Sequence, residues 1–150
     1  MPKATTFLLF SVALSISTAV TGCSPERTSE ADGNPTDHPV SFTEDIKPLL
    51  QSRCVLCHNT GTLLGHLNLE TRALAFAPGP AGPFIIPGSP EKSKLYTFTL
   101  KPRQEDQSMP PTKHRLSDEE KGLLRRWIAE GAPWPEGPGG HIEPIPDPTS

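Results

Sequence analysis

Apolar residues recur at three- and four-residue steps in two parts of the chain, and this spacing predicts two amphipathic helices. In the first part, Pro48 removes a helical hydrogen-bond donor, so we expect this helix to kink or restart near Lys47. Thr43 is placed to cap its amino end. The apolar face of this first helix comprises Ile46, Leu49, Leu50 and Cys54.

The second amphipathic stretch predicts the best-defined helix of the chain. Ser117 and Glu120 have the spacing of a capping box, and Gly131 with Pro133 marks the carboxyl end. We expect its apolar stripe to pack on the first helix. That stripe comprises Leu123, Leu124, Trp127 and Ile128.

Two shorter helices are predicted between these two. One covers Thr71 to Ala77 and stops before Pro78, and the other starts at Ser89 as its cap and ends before Lys101. Nineteen prolines and twelve glycines interrupt the chain too often for long elements. The pattern therefore predicts an all-α fold of about three to four short helices joined by long loops.

The apolar run at the amino end predicts a targeting segment. Lys3 precedes a short apolar stretch that is too brief to span a membrane, so residues 1–22 are typical of a signal peptide. The sequence Val20-Thr21-Gly22-Cys23 resembles the lipobox of bacterial lipoproteins, in which the cysteine becomes the lipid-modified first residue of the mature chain. Ordinary secretory cleavage with a free Cys23 is the alternative.

This lipoprotein resemblance also implies a location. Ser24, rather than an aspartate, follows Cys23, which implies the outer membrane where the organism has one. We therefore expect an extracytoplasmic domain anchored to the periplasmic side of a membrane through Cys23. Residues 23–40 are rich in Ser, Thr, Pro, Asp and Glu and predict a flexible tether to that anchor.

Composition and charge predict how the rest of the chain is organised. Residues 41–134 are expected to form one folded domain, and the proline- and glycine-rich residues 135–150 a disordered tail. The formal net charge is −3, and no basic stripe marks a nucleic-acid partner.

Candidate chemistry centres on Cys54, Cys57 and His58. A turn of helix places both sulfurs on one side of the backbone, where they can form thioether bonds to the two vinyl groups of one haem. The adjacent imidazole can then ligate the haem iron. The motif predicts a c-type cytochrome domain with one covalently bound haem c, attached at Cys54 and Cys57, with His58 as proximal iron ligand.

The same three residues also allow a zinc site or a redox-active dithiol. Zinc would take Cys54, Cys57 and His58 as three ligands, but a structural zinc site closes with four and the chain has no second cysteine pair. A redox-active dithiol would require a βαβ context, which the pattern does not predict.

Met109 is the expected sixth ligand of the iron. It is the one methionine outside the signal peptide, and it stands directly before Pro110 and Pro111 in a polar stretch without apolar periodicity. Thioether sulfur is a soft ligand that suits haem iron and raises its reduction potential. His114 and His66 are the competing candidates for this position.

These ligands favour one-electron transfer. With His58 and Met109 on the two axial positions, the iron has no open site for a substrate, so we expect an electron carrier rather than an enzyme. Its redox donor and acceptor proteins are not identified by the sequence. Two alternatives from other classes are a haem-based sensor or weak peroxidase in which Met109 leaves the iron, and a zinc-binding or scaffold module.

Five segments in fixed order resemble the planctomycete-type cytochrome c module, over roughly residues 40–134. They are Val40 to Ile46, Cys54 to His58, Pro87 to Tyr96, Met109 to Pro111 and Leu123 to Pro133. The resemblance implies a cytochrome c-like all-α fold with haem at Cys54 and Cys57, His58 as proximal ligand and Met109 as distal ligand.

Overall fold

Four α-helices form the part of the chain that the computed structural model describes, residues 38–113 and 115–145. They are α1 (Lys47–Arg53), α2 (Arg72–Ala75), α3 (Lys94–Leu100) and α4 (Asp118–Ala129). Apart from one isolated bridge between Gly79 and Gly82, these ranges contain no β-structure. The prediction of an all-α fold with short helices and long loops is confirmed.

Several predictions fall outside the described ranges. These concern the signal peptide over residues 1–22, Cys23, the tether up to residue 37, His114 and residues 146–150. Within the described ranges, every helix is too short or too polar to span a membrane.

The first helix changes type where Pro48 predicted a break. Residues Phe42–Ile46 form a π-helical turn, and α1 continues from Lys47. Ser41 caps this segment by accepting a hydrogen bond from the Glu44 amide, so the prediction of Thr43 as cap was wrong. Val40 is already buried and donates its amide to the Glu130 carboxylate at 2.8 Å, so ordered structure begins within the predicted tether.

The two middle helices are shorter than predicted. Thr71 caps α2, because its side-chain oxygen accepts a hydrogen bond from the Leu74 amide. Threonine is one of the preferred residues at this position of a helix. Ser89 does not cap a continuous helix, because Pro90–Lys92 form a separate 3₁₀ turn and α3 begins anew at Lys94. The Ser93 hydroxyl bonds to the backbone of Ile86 and Ser89, which ties this junction together and leaves Ser93 fully buried.

Helix α4 has the predicted capping box at Ser117 and Glu120, and its buried side carries Leu124, Trp127 and Ile128. It packs on α3 and on the π-helical turn Phe42–Ile46. Trp127 lies at the centre of this contact, with ring centroids 6.2 Å from Phe42 and 6.0 Å from Trp134. These rings, in the tilted arrangements that aromatic pairs prefer, build the core behind the cysteine motif.

The predicted disordered tail is ordered up to Ile145. Trp134 is buried and donates its indole N–H to the Gly140 carbonyl at 2.7 Å. Ile142 is fully buried, and its amide donates to the Glu70 carbonyl at 2.8 Å. The expectation of disorder for residues 135–145 was wrong, because a few apolar residues of this proline-rich segment pack against the rest of the domain.

Gly140 is required for this returning segment. A β-carbon there would lie 1.8 Å from the Pro135 carbonyl oxygen, and relief would require backbone movement. We expect Gly140→Ala to lower the free energy of unfolding by about 2–4 kcal/mol through overpacking and loss of the Trp134 hydrogen bond. Denaturant titration followed by tryptophan fluorescence measures the change.

Gly139→Ala is the matched control for this change. A β-carbon at Gly139 would meet only the Pro135 β-carbon, at 4.0 Å, an ordinary contact. Equal unfolding midpoints for the Gly139 and Gly140 variants would show that the returning segment does not pack as described.

Candidate functional site

The cysteine motif begins at the residue where α1 ends. Cys54 is the carboxyl-terminal cap of α1, and its carbonyl accepts the amides of Cys57 at 3.2 Å and His58 at 3.1 Å. This turn keeps Cys54, Cys57 and His58 together, and both thiols are free. The preceding residue, Arg53, pairs with Glu120 of α4 at 3.0 Å, so the motif is held against the last helix.

The ring of His58 is oriented by a backbone carbonyl. Its Nδ1 lies 2.8 Å from the Leu64 carbonyl oxygen, and because that oxygen only accepts, Nδ1 carries the proton. Nε2 then holds the lone pair that a metal ligand needs. Burial lowers the pKa of His58, although hydrogen bonds to the Leu64 and Leu67 carbonyls oppose the shift, so the imidazole is neutral at neutral pH.

The environment of Cys54 disfavours thiolate chemistry. Burial raises the pKa of Cys54 to about 12, against the opposing charge of Arg53. Redox-active Cys-X-X-Cys pairs and zinc ligands require the thiolate, and redox pairs have lowered pKa values. Among the described residues, no group of three or more His, Cys, Asp and Glu side chains could hold a metal ion. The raised pKa of Cys54 counts against a redox-active dithiol at this site.

Asn59, which the sequence did not single out, locks the turn after the motif. Its side-chain N–H₂ donates to the Val55 and Leu56 carbonyls, each at 2.8 Å. Its side-chain oxygen accepts the amides of Gly61 and Thr62. The buried amide thereby shapes the loop that carries the Leu64 carbonyl to His58. An asparagine directly before a Thr-Gly-Thr loop was the available signal, since such side chains bond to nearby backbone.

A polar cluster fixes the chain that returns past His58. The Glu70 carboxylate accepts hydrogen bonds from the amide and hydroxyl of Thr60 and from the side chain of Asn68. These hydrogen bonds lower the pKa of Glu70, and the bond from the Thr60 side chain contributes most. Between Asn68 and Glu70, the Leu69 amide donates to the His58 carbonyl at 2.8 Å. The backbone of the proposed proximal ligand is therefore held from both sides.

Three leucines beside the motif are about half exposed: Leu56 at 50%, Leu63 at 47% and Leu64 at 51%. They account for three of the six exposed large hydrophobic residues in the described ranges. An apolar surface around two free thiols and a neutral imidazole fits a large, flat, mostly apolar group. The residues present thus fit a haem, with Cys54 and Cys57 as attachment points and His58 as iron ligand.

The proposed distal ligand lies on the loop after α3. Met109 is half-buried, and its amide donates to the Phe98 carbonyl at 2.9 Å, so this loop is tied back to α3. His66 is exposed in a 3₁₀ turn on the loop that also carries Leu64. His114 lies outside the described residues. The choice of Met109 over these two histidines stays a prediction.

Comparison with known proteins finds one family that this part of the chain resembles. Residues 54–113 match the family model described as Planctomycete cytochrome C. The match contains Cys54, Cys57, His58 and Met109. Neither the curated proteins nor the solved structures contain a match to the chain. The family implies covalently bound haem c, and the helical fold agrees with it.

Proposed function

We propose, since residues 54–113 form a planctomycete-type cytochrome c module, that this chain is a mono-haem electron carrier with His58 and Met109 as axial iron ligands. The haem would supply a reversible one-electron change at its iron. The observation that carries the proposal is the His58 ring, whose protonated Nδ1 is engaged by the Leu64 carbonyl and whose Nε2 is the remaining donor.

The arrangement of the chain's own residues suits electron transfer. A carrier works best when its ligands keep their positions in both oxidation states, because movement slows the exchange of electrons. The Asn59 hydrogen bonds, the Leu69 amide and the Leu64 carbonyl all restrain the proximal side. The half-exposed Leu56, Leu63 and Leu64 would give the haem an apolar surface beside the motif.

Met109→Ala tests the axial ligation. We expect wild-type oxidised protein to show the weak long-wavelength absorption band of a sulfur–iron bond and the variant to lack it. The reduction potential of the variant should fall by on the order of 0.1–0.3 V, a fraction of the roughly 0.8 V over which axial ligands tune haem. Absorption spectra and a redox titration measure both quantities.

Gln104→Ala is a suitable control for the methionine change. Gln104 is exposed on the same loop, and this substitution should leave both the band and the potential unchanged. A wild-type protein that carries covalent haem but lacks the band would exclude Met109 and favour His114 or His66.

A sensor or weak peroxidase would behave differently. Such a protein requires Met109 to leave the iron readily so that a small ligand can bind. We expect the reduced wild-type protein to bind carbon monoxide poorly at neutral pH, and Met109→Ala to bind it readily. Ready binding by the wild type would favour the sensor.

The proposal includes a membrane anchor at Cys23. Its support is the sequence Val20-Thr21-Gly22-Cys23 and the polar segment between it and Val40. The domain would then work outside the cytoplasm, on the periplasmic side of a membrane, with donor and acceptor proteins yet to be identified. Incorporation of a labelled fatty acid that depends on Cys23 tests this anchor.

A further inference from the structure

Arg115 makes an unusual set of contacts with the end of α3 and with the loop that carries Met109. Its Nη1 donates to the Ser108 hydroxyl and to the Pro110 carbonyl, the latter at 3.2 Å. Its Nη2 donates to the Thr99 carbonyl at 3.2 Å and to the Lys101 carbonyl at 2.6 Å. All four acceptors are neutral oxygens, so the guanidinium acts as a connector between backbone segments rather than as half of an ion pair.

These contacts join two places in the chain. The Thr99 and Lys101 carbonyls belong to the end of α3, where the last carbonyls of a helix lack partners within the helix. Ser108 and Pro110 are the immediate neighbours of Met109 on either side. The two nitrogens of one planar group therefore hold the chain around Met109 against the end of α3.

Two further hydrogen bonds also hold the loop around Met109 against the end of α3. The Met109 amide donates to the Phe98 carbonyl at 2.9 Å, and the Ser108 hydroxyl donates to the Lys101 carbonyl at 3.0 Å. Thr99 and Ser108 are both 4% exposed, so water competes weakly for these groups. One guanidinium, that of Arg115, bonds to both neighbours of Met109.

We propose that Arg115 is the positioning residue for Met109. The two nitrogens of its planar guanidinium, which form a fork, keep the thioether on the iron against competing ligands. The inference rests on the proposed function, because it requires Met109 to be the distal ligand. A fixed loop places the sulfur without further loss of conformational freedom when it binds the metal. Loosening the loop would raise the fraction of molecules in which the sixth position is open.

The guanidinium geometry is required, not only the positive charge. Two terminal nitrogens in a rigid plane can serve two separate pairs of acceptors at once. A lysine at this position keeps the charge but presents a single nitrogen, which cannot reach both the α3 carbonyls and the Met109 neighbours. Arg115→Lys therefore separates the effect of the fork from the effect of charge.

The experiment measures how readily added imidazole displaces Met109 in the oxidised holoprotein. Apparent affinity for an incoming ligand rises in proportion to the fraction of open molecules. We expect Arg115→Met and Arg115→Lys each to bind imidazole about tenfold more tightly than wild type, since a lost charge-assisted hydrogen bond is worth about that factor. Their sulfur–iron band should also disappear at a lower temperature, while the circular dichroism of the helices is still intact.

The chain offers a control and a milder variant. Arg125 is exposed and pairs with Glu91, so Arg125→Met removes the same charge without touching the Met109 loop and should bind imidazole as wild type does. Ser108→Ala removes one acceptor and should change the affinity in the same direction by a smaller factor. If Arg115→Met does not fold, the imidazole affinity of Ser108→Ala tests the positioning role in its place.

The outcomes distinguish this inference from the proposed function. If wild type shows the sulfur–iron band and Arg115→Met matches it in imidazole affinity, the positioning role is wrong and the His58/Met109 ligation stands. If Arg115→Lys restores wild-type affinity, charge rather than the fork is responsible and the inference is overturned. If the wild-type band is absent, the ligation fails and the inference fails with it.

Discussion

Replacing Cys54 and Cys57 together with serine leaves the protein without covalently bound haem. Thioether formation adds a cysteine sulfur to a haem vinyl group, and a serine hydroxyl is too poor a nucleophile to replace it. The turn itself should survive, because the amides of Cys57 and His58 bond to the Cys54 carbonyl and not to its side chain. Haem staining after a denaturing gel, together with the mass of the intact chain, measures attachment.

The third cysteine supplies the matched control. Cys23→Ser changes the same type of residue in the same chain and should keep covalent haem at the wild-type level. Each single variant, Cys54→Ser or Cys57→Ser, should keep attachment through the remaining sulfur at reduced yield. Covalent haem in the double variant would contradict the assignment of both attachment points.

Trp127→Ala is expected to destabilise the domain more than any other single core substitution. Trp127 is fully buried, its ring lies among Phe42 and Trp134, and its indole N–H donates to the Pro133 carbonyl at 2.9 Å. Removing a buried tryptophan costs about 3–5 kcal/mol. A domain of this size has a total stability of about 5–15 kcal/mol, so about a fifth or more of it would be lost.

Denaturant unfolding of the oxidised holoprotein, followed by circular dichroism, measures this loss. Leu74→Ala is the control, because Leu74 lies on α2 with 43% of its surface exposed and should change stability by less than about 0.5 kcal/mol. Trp127→Phe keeps an aromatic ring and should lose less than the alanine variant. Similar unfolding midpoints for Trp127→Ala and Leu74→Ala would contradict the central place given to Trp127.

Elements that depend on neighbours in sequence were predicted well. The Ser117 and Glu120 capping box and the change of helix type at Lys47 are both set by residues within four positions of one another. The turn from Cys54 to His58 is local in the same sense. Such features can be predicted because their hydrogen bonds do not require any distant part of the chain to be in place.

Features that depend on distant partners were missed. The packed domain already includes Val40, because the Val40 amide donates to the distant Glu130 carboxylate. The proline-rich stretch after Trp134 folds back because Ile142 reaches the Glu70 carbonyl across the domain. Composition alone predicted disorder there, since it measures how much apolar surface a segment has and not whether a matching site exists.

The two positioning residues differ in this respect. Asn59 acts within four residues of itself, and its place before a Thr-Gly-Thr loop gave a usable signal. Arg115 gave none, because its acceptors at Thr99 and Lys101 lie 16 and 14 residues away along the chain. An arginine between a loop and a helix start looks the same in sequence whether it is solvated or holds two segments together.

The sequence by itself determined the helical class, the helix carrying Trp127, the cysteine and histidine motif and the resemblance of that motif's surroundings to a known cytochrome c module. These follow from periodicity and from residue types at short spacing, which act through local geometry. Only the tertiary structure decided which nitrogen of His58 is protonated, how Arg115 holds the chain beside Met109, and where the chain after Trp134 lies. Each of these depends on a hydrogen bond to a group whose position is set by the folded chain.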